Sequence, residues 1–155
     1  MSWARVLLCA FFFFALFLGA ASCAAQPRVV ISTNAGKELS VRVEVADTPA
    51  KRAQGLMYRN DLPEEQGMLF LFPAATNQTF WMKNTPLSLD LMFIGSDLRI
   101  VGIVERATPF STDSLSVSAP SQFVLEVRGG FCQRHGIKVG DAVRFDGISL
   151  EGIKG

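Results

Sequence analysis

Residues 38–45 read Glu-Leu-Ser-Val-Arg-Val-Glu-Val. Leu39, Val41, Val43 and Val45 alternate strictly with Ser40, Arg42 and Glu44, and only an extended chain places such a period of two on two faces. The stretch is a β-strand with one face buried. Upstream, Val29-Val30-Ile31 is a second apolar run, and Asn34-Ala35-Gly36-Lys37 between them supplies turn residues, so the two form a hairpin. Downstream the character changes. Asp47 or Thr48 can cap a helix, Pro49 suits its first position and Gly55 its end, which predicts about two helical turns.

Beyond a turn or helical stub at Asp61–Gly67, the pattern returns to strands. Met68–Phe72, Thr79–Met82, Leu89–Ile94, Arg99–Val104, Phe123–Val127 and Ala142–Phe145 are short apolar runs bounded by Gly, Pro or Asn. They are too short for helices and rich in β-branched and aromatic residues. Gly95-Ser96-Asp97 reads as a tight turn, Thr108–Ser121 as the longest loop, Gly130–Gly136 as a second short helix, and Val139-Gly140-Asp141 as the turn into the last strand. The expected fold is mainly β, a compact single-domain β-sandwich or barrel over residues 28–148 with one or two short helices. Leu39, Val41, Val43, Val45, Leu69, Leu91, Phe93 and Val124 are its predicted interior.

Residues 1–25 have a different composition, with 5 of the 13 Phe and a single charge, Arg5. Arg5, the apolar run Val6–Leu18 and the small residues Gly19–Ala25 form the pattern of a signal peptide. Two cleavage readings stand. Ordinary cleavage falls near Ala24 or Ala25; alternatively Ala-Ala-Ser-Cys is a loose lipobox that ends the leader at residue 22 and makes Cys23 the lipidated first residue. Either way the domain is expected in the periplasm or cell envelope, touching a membrane only through the leader or a lipid anchor. Of 15 basic residues Arg5 leaves with the leader, so 14 remain against 14 acidic ones. That balance excludes a general polyanion binder and gives no footprint for nucleic acid.

The blocks "VEVADTPAKRAQGLMYRNDLPEEQGMLFLF", "FWMKNTPLSLDLMFI", "VLEV" followed by "GG", and "HGIKVGDAV" together resemble the domain of unknown function 192 family over about residues 39–145. The matching positions are Arg52, Gly55, Leu56, Met57, Arg59, Gly67–Phe70, Trp81–Thr85, Leu89, Asp90, Gly136, Gly140 and Asp141. Pro86 follows the "FWMKNT" block at once, where the family pattern leads us to expect a longer loop. The resemblance implies a small, mainly β fold with a small helix, often exported, and assigns no activity. It implies no role for a thiol at Cys132.

Enzyme and cofactor motifs are missing: there is no nucleophile elbow, zincin helix, phosphate loop or dinucleotide fingerprint, and no cofactor is called for. Met57, Met68, Met82 and Met92 offer thioethers for Cu(I), but without a close pair they read as packing residues. Cys132 and His135, three apart, could meet on a helical turn as an activated thiol. The strongest candidate is the block Trp81-Met82-Lys83-Asn84-Thr85 with Asp90 and Arg59. Trp81 offers an apolar wall; Lys83, Asn84 and Thr85 offer polar groups. Asp90 is an acid inside an apolar strand and needs a partner, for which Arg52, Arg59 and Lys83 are available. The expected function is to bind a small molecule or an envelope protein, the alternatives being an enzyme using Asp90 with a basic neighbour, or a copper-handling protein. The localisation has a direct check. Mass spectrometry of the protein recovered from the envelope fraction should find an N-terminus between Cys23 and Gln26, with a diacylglyceryl adduct only if Cys23 is first.

Overall fold

A computed structural model describes residues 26–153; the predicted leader and Cys23 lie outside them. Seven strands form one sheet: β1 (Arg28–Ser32), β2 (Glu38–Ala46), β3 (Gln66–Thr76), β4 (Leu89–Ile94), β5 (Ile100–Ala107), β6 (Ser121–Arg128) and β7 (Ala142–Asp146). Their spatial order is β5-β4-β6-β3-β2-β1-β7, antiparallel except where β2 and β3 run parallel across the helix α1 (Pro49–Gln54). A second helix, α2 (Phe131–His135), joins β6 to β7.

The alternation in β2 does what its period predicts. Val41 and Val43 are buried, and Leu39 and Val45 pack partly buried against the same cluster. That cluster collects Ile31, Leu69, Leu71, Met92, Ile100 and Leu125 from strands across the sheet. The sheet is curled, and its outermost strands meet at one end: Arg99 bridges Ala142, Ile100 N–H donates to Asp141 at 3.0 Å and Val143 N–H to Leu98 at 2.8 Å. Of the two predicted architectures, the fold is therefore the barrel-like one, a curled half-barrel. Phe131 and Cys132 of α2 belong to the same inner cluster.

The outer face carries a second apolar layer. Met68, Phe70, Leu89, Leu91, Phe93 and Val124 are covered there by Leu56, Leu62 and Met82 from the connections. Because both faces are packed, β4 is buried at every position and reads as an apolar run interrupted only by Asp90 rather than as an alternation. Thr79–Met82 is not a strand. Phe80 alone pairs with Leu115, and the segment is a loop laid over the outer layer. Its aromatic residues pack by ring contacts instead: Phe80 lies edge-on to Phe70 (5.1 Å between centroids), Phe93 (5.9 Å) and Phe72 (6.2 Å). β3 also runs past its predicted end, through Pro73, where pairing with β6 is interrupted between Leu71 and Thr76. Proline has no N–H to give the ladder, which accounts for the break.

Asp90 fixes the corner where the two layers diverge. It is fully buried on the inner face of β4. One carboxylate oxygen accepts the N–H groups of Arg106 and Gly130, both at 2.8 Å, and the other accepts that of Cys132 at 2.8 Å. The predicted partners Arg52, Arg59 and Lys83 are not the ones it takes, because backbone donors are closer to its strand and need no desolvated cation. The pairing of β4 with β5 shifts here, Leu89 facing Ala107 and Leu91 facing Val104, so β5 carries an extra residue. Arg106, in that bulge, has φ of 49°. Gly130 and Cys132 lie at the start of α2, whose N-cap is a glycine without a side chain, so Asp90 caps the helix from the neighbouring strand. Asp90→Ala strands three buried donors and should lower the unfolding free energy by about 3 kcal/mol or more. Asp90→Asn should cost nearly as much, since its amide sets a donor against a donor. Urea unfolding checks this, and a loss below about 1 kcal/mol would contradict it.

Candidate functional site

The predicted site residues separate. Arg59 pairs with Glu44 on β2, through Nη1 to Oε1 and through Nη2 to Oε2 at 2.6 Å, and the guanidinium holds the Glu44 carboxyl below its ordinary range. Lys83 lies on the surface with its ammonium 5.1 Å from the Trp81 ring centroid. Asn84 takes the left-handed conformation, φ 55°, which its short polar side chain tolerates. Its amide donates to the Tyr58 hydroxyl at 2.8 Å, and its carbonyl accepts the Tyr58 N–H at 2.8 Å. Thr85 is buried, with Oγ1 on the Lys83 carbonyl at 3.2 Å. Asp90 is on the opposite face of the sheet from Trp81, so it does not share their surface.

Trp81 and Thr85 do share a concavity, with residues the sequence reading did not single out. It measures about 340 Å³ and lies between the end of α1 and the loop 79–85. Its aromatic wall is Phe70, Phe72, Phe80 and Trp81; Leu56, Met57 and Gly55 close the other side. Gly55 ends α1 at φ 49°, and a β-carbon there would come 3.3 Å from the Phe70 ring, so a larger residue would fill the space. Arg52 lines the same cavity, donating to the Leu71 carbonyl at 2.9 Å with its guanidinium 5.3 Å from the Phe72 centroid. Trp81 is half exposed, so this wall meets solvent.

The remaining lining residue is Glu126, on β6. It is 95% buried, its exposure being 5%. Its register partners are Met68 on β3 and Leu91 on β4, both apolar. No described residue gives it a hydrogen bond or an ion pair, and burial alone pushes its carboxyl up to about 8. A buried acid without a partner costs free energy that a structural role does not repay. The signal was in the sequence: Glu126 interrupts Val-Leu-Glu-Val as Asp90 interrupts Leu-Asp-Leu.

The segments that brace the Trp81 loop carry backbone strain. Tyr58 (φ 64°) and Phe110 (φ 61°) are non-glycine residues in the left-handed region, and both are exposed. Phe110 N–H donates to Thr85, Met82 N–H to Ser111, and Phe80 exchanges two backbone bonds with Leu115. These contacts fix the position of the aromatic wall over the cavity.

The other candidates do not assemble. Cys132 is buried in the inner core, and burial, with the Asp90 carboxylate second, pushes its thiol well above the ordinary range. His135 turns outward, its Nδ1 3.2 Å from Lys37 Nζ and Nε2 3.4 Å from Glu64. Met92 packs in the inner cluster, Met68 and Met82 pack in the outer one, and Met57 lines the cavity.

A curled mainly β domain with a single packed helix cap and an aromatic cavity on its outer face is the class of protein these features define. The chain belongs to the DUF192 family, described as uncharacterized ACR, whose model matches residues 30–145. Among solved structures it is similar to one from Sinorhizobium meliloti 1021, described as a proposed transcription regulator: 40% identity, 80% of this chain and 96% of that chain covered, TM-score 0.76. A protein of unknown function from Novosphingobium aromaticivorans DSM 12444 is 40% identical over 76% of this chain and 83% of its own, with TM-score 0.73. No curated protein matches.

Glu126 makes a pH prediction. Its folded value of about 8 lies above the ordinary 4.5, so the folded state holds the extra proton between those values. Stability is therefore complete below about 4.5, is lost progressively as pH rises to about 8, by about 1.4 kcal/mol per unit, and levels above it. Glu126→Gln should remove that slope and leave the variant the more stable protein at pH 8. Urea unfolding of both proteins from pH 5 to 8.5 reads the difference directly.

Proposed function

We propose that this chain is an exported binding domain of the periplasm or cell envelope, and that it takes a small, largely apolar molecule in the outer-face cavity. The observation that carries the reading is the cavity itself: four aromatic residues and a partnerless buried acid around about 340 Å³. That volume is at the small end of ligand sites, and an apolar lining with few polar groups is their usual composition. Export rests on the leader pattern of Arg5, Val6–Leu18 and the small residues that follow. The regulator description of the Sinorhizobium relative finds no support here, since 14 basic residues balance 14 acidic ones once Arg5 is set aside.

In this reading Trp81 and Phe80 form the wall a ligand stacks on, Thr85 and Glu126 supply the polar contacts, and Asn84 holds the wall in place through Tyr58. Arg59 and Asp90 keep structural roles, one on β2 and one at the α2 cap. The test uses benzyl alcohol as a neutral aromatic probe. Amide shifts in a nitrogen–proton NMR titration should cluster at residues 52–57, 79–85 and 126. Trp81→Ala should weaken the probe about tenfold while the melting temperature stays within a few degrees of wild type, because the side chain is half exposed. Shifts scattered over the surface, or none, would remove the binding reading.

A further inference from the structure

We propose that the cavity is selective for a small aromatic or alkyl ammonium ion, which the Glu126 carboxylate pairs with inside the aromatic wall. This deepens the binding reading and rests on it. Two observations point to a cation rather than a neutral guest. Glu126 sits on the cavity lining with no hydrogen bond or ion pair from any described residue, although the polar groups of Thr85 and Thr79 share the same lining. A neutral guest can hydrogen-bond the protonated acid but leaves the ionised carboxylate without a counter-charge, and an anionic guest would oppose it. Secondly, the wall consists of aromatic rings, whose faces attract cations, and one of them already does so: the Arg52 guanidinium lies over Phe72 at 5.3 Å. An ammonium ion combines both attractions, and it supplies the missing partner of the carboxyl.

The charged surroundings of Glu126 are simple. β3 and β4 present Met68 and Leu91 beside it, the loop 79–85 presents Thr79, Trp81 and Thr85, and α1 contributes Arg52, which is engaged by Phe72 and the Leu71 carbonyl. Asp90 is on the other face of the sheet and belongs to α2. Arg52 thus limits the guest to one positive charge at the Glu126 end, and disfavours a dication that would extend toward α1.

Binding such an ion requires the ionised acid, so it is linked to pH. Glu126 titrates at about 8, and an arylalkylamine keeps its proton to well above that. Affinity should rise about tenfold per pH unit from 6 to near 8 and then level. The experiment is calorimetric titration of phenethylamine and of its neutral isostere 2-phenylethanol into the purified domain between pH 6 and 9. The proposal expects phenethylammonium to bind at least tenfold more tightly than the alcohol at pH 8.5, with the stated pH profile. It expects Glu126→Gln to bring the two to equal affinity and to flatten the profile. Equal binding of both compounds by wild type, with affinity independent of pH, overturns the ammonium selectivity and leaves the cavity reading standing. Failure of both compounds to bind overturns the two together. If Glu126→Gln does not fold, the comparison of amine with alcohol and the pH profile, both on wild type, still decide the matter.

Discussion

One carboxylate holds the corner on which the sheet and its helix depend. Asp90 gathers three backbone N–H groups, from the β5 bulge at Arg106 and from Gly130 and Cys132 at the start of α2. Each of those donors would otherwise be buried or at a helix end without an acceptor, and hydrogen bonds to a charged acceptor are the stronger kind. The bulge lets β5 run on to Ala107 in register, and the cap sets α2 so that Phe131 and Cys132 reach into the curled sheet. The ends of the sheet are treated alike: Asp141 accepts the N–H groups of Asn34 at 3.0 Å and Lys138 at 2.8 Å where β7 meets β5. Of the buried acids, Asp90 and Asp141 both serve backbone donors, one inside the sheet and one at its closing turn.

Glu126 is the departure from that rule. It lies one strand from Asp90, on the opposite face, nearly as buried and without a donor among the described residues. The same strand, β6, places Leu125 and Val127 in the inner core and Val124 in the outer layer beside it. Nothing in the packing requires an acid at that position, where Leu or Met would fill the same volume without the desolvation cost. The cavity above it explains the choice. Strain in the surrounding loops has the same reading, since the left-handed backbone at Tyr58, Asn84 and Phe110 braces the wall that faces Glu126.

The strands were legible because burial on a curled sheet imposes its period on the chain. β2 shows it most plainly, and Thr48, Pro49 and Gly55 marked the ends of α1 through the chemistry of caps. Thr79–Met82 misled because Phe80 and Met82 alternate with Trp81 and Lys83 as a strand would, while the residues are actually held by ring contacts and a single bridge. Composition does not distinguish those two ways of burying an aromatic residue. The candidate site was half legible. Trp81 and Thr85 were found as a block of apolar and polar groups unsuited to a strand interior. Asp90 was found as a buried acid, but its partners were sought among side chains, and backbone donors leave no trace in a sequence. Glu126 was missed although the argument applied to Asp90 applies equally to it.

The proposed site depends on Glu126 being a partnerless acid beneath the aromatic wall. Its carboxyl carbon can be followed by NMR in the ligand-free protein with labelled glutamate, assigned through the loss of its signal in Glu126→Gln. A midpoint near pH 8 is the predicted result, set by burial without a compensating charge. A midpoint near the ordinary 4.5 would mean that the carboxyl is solvated or paired, and would contradict the account.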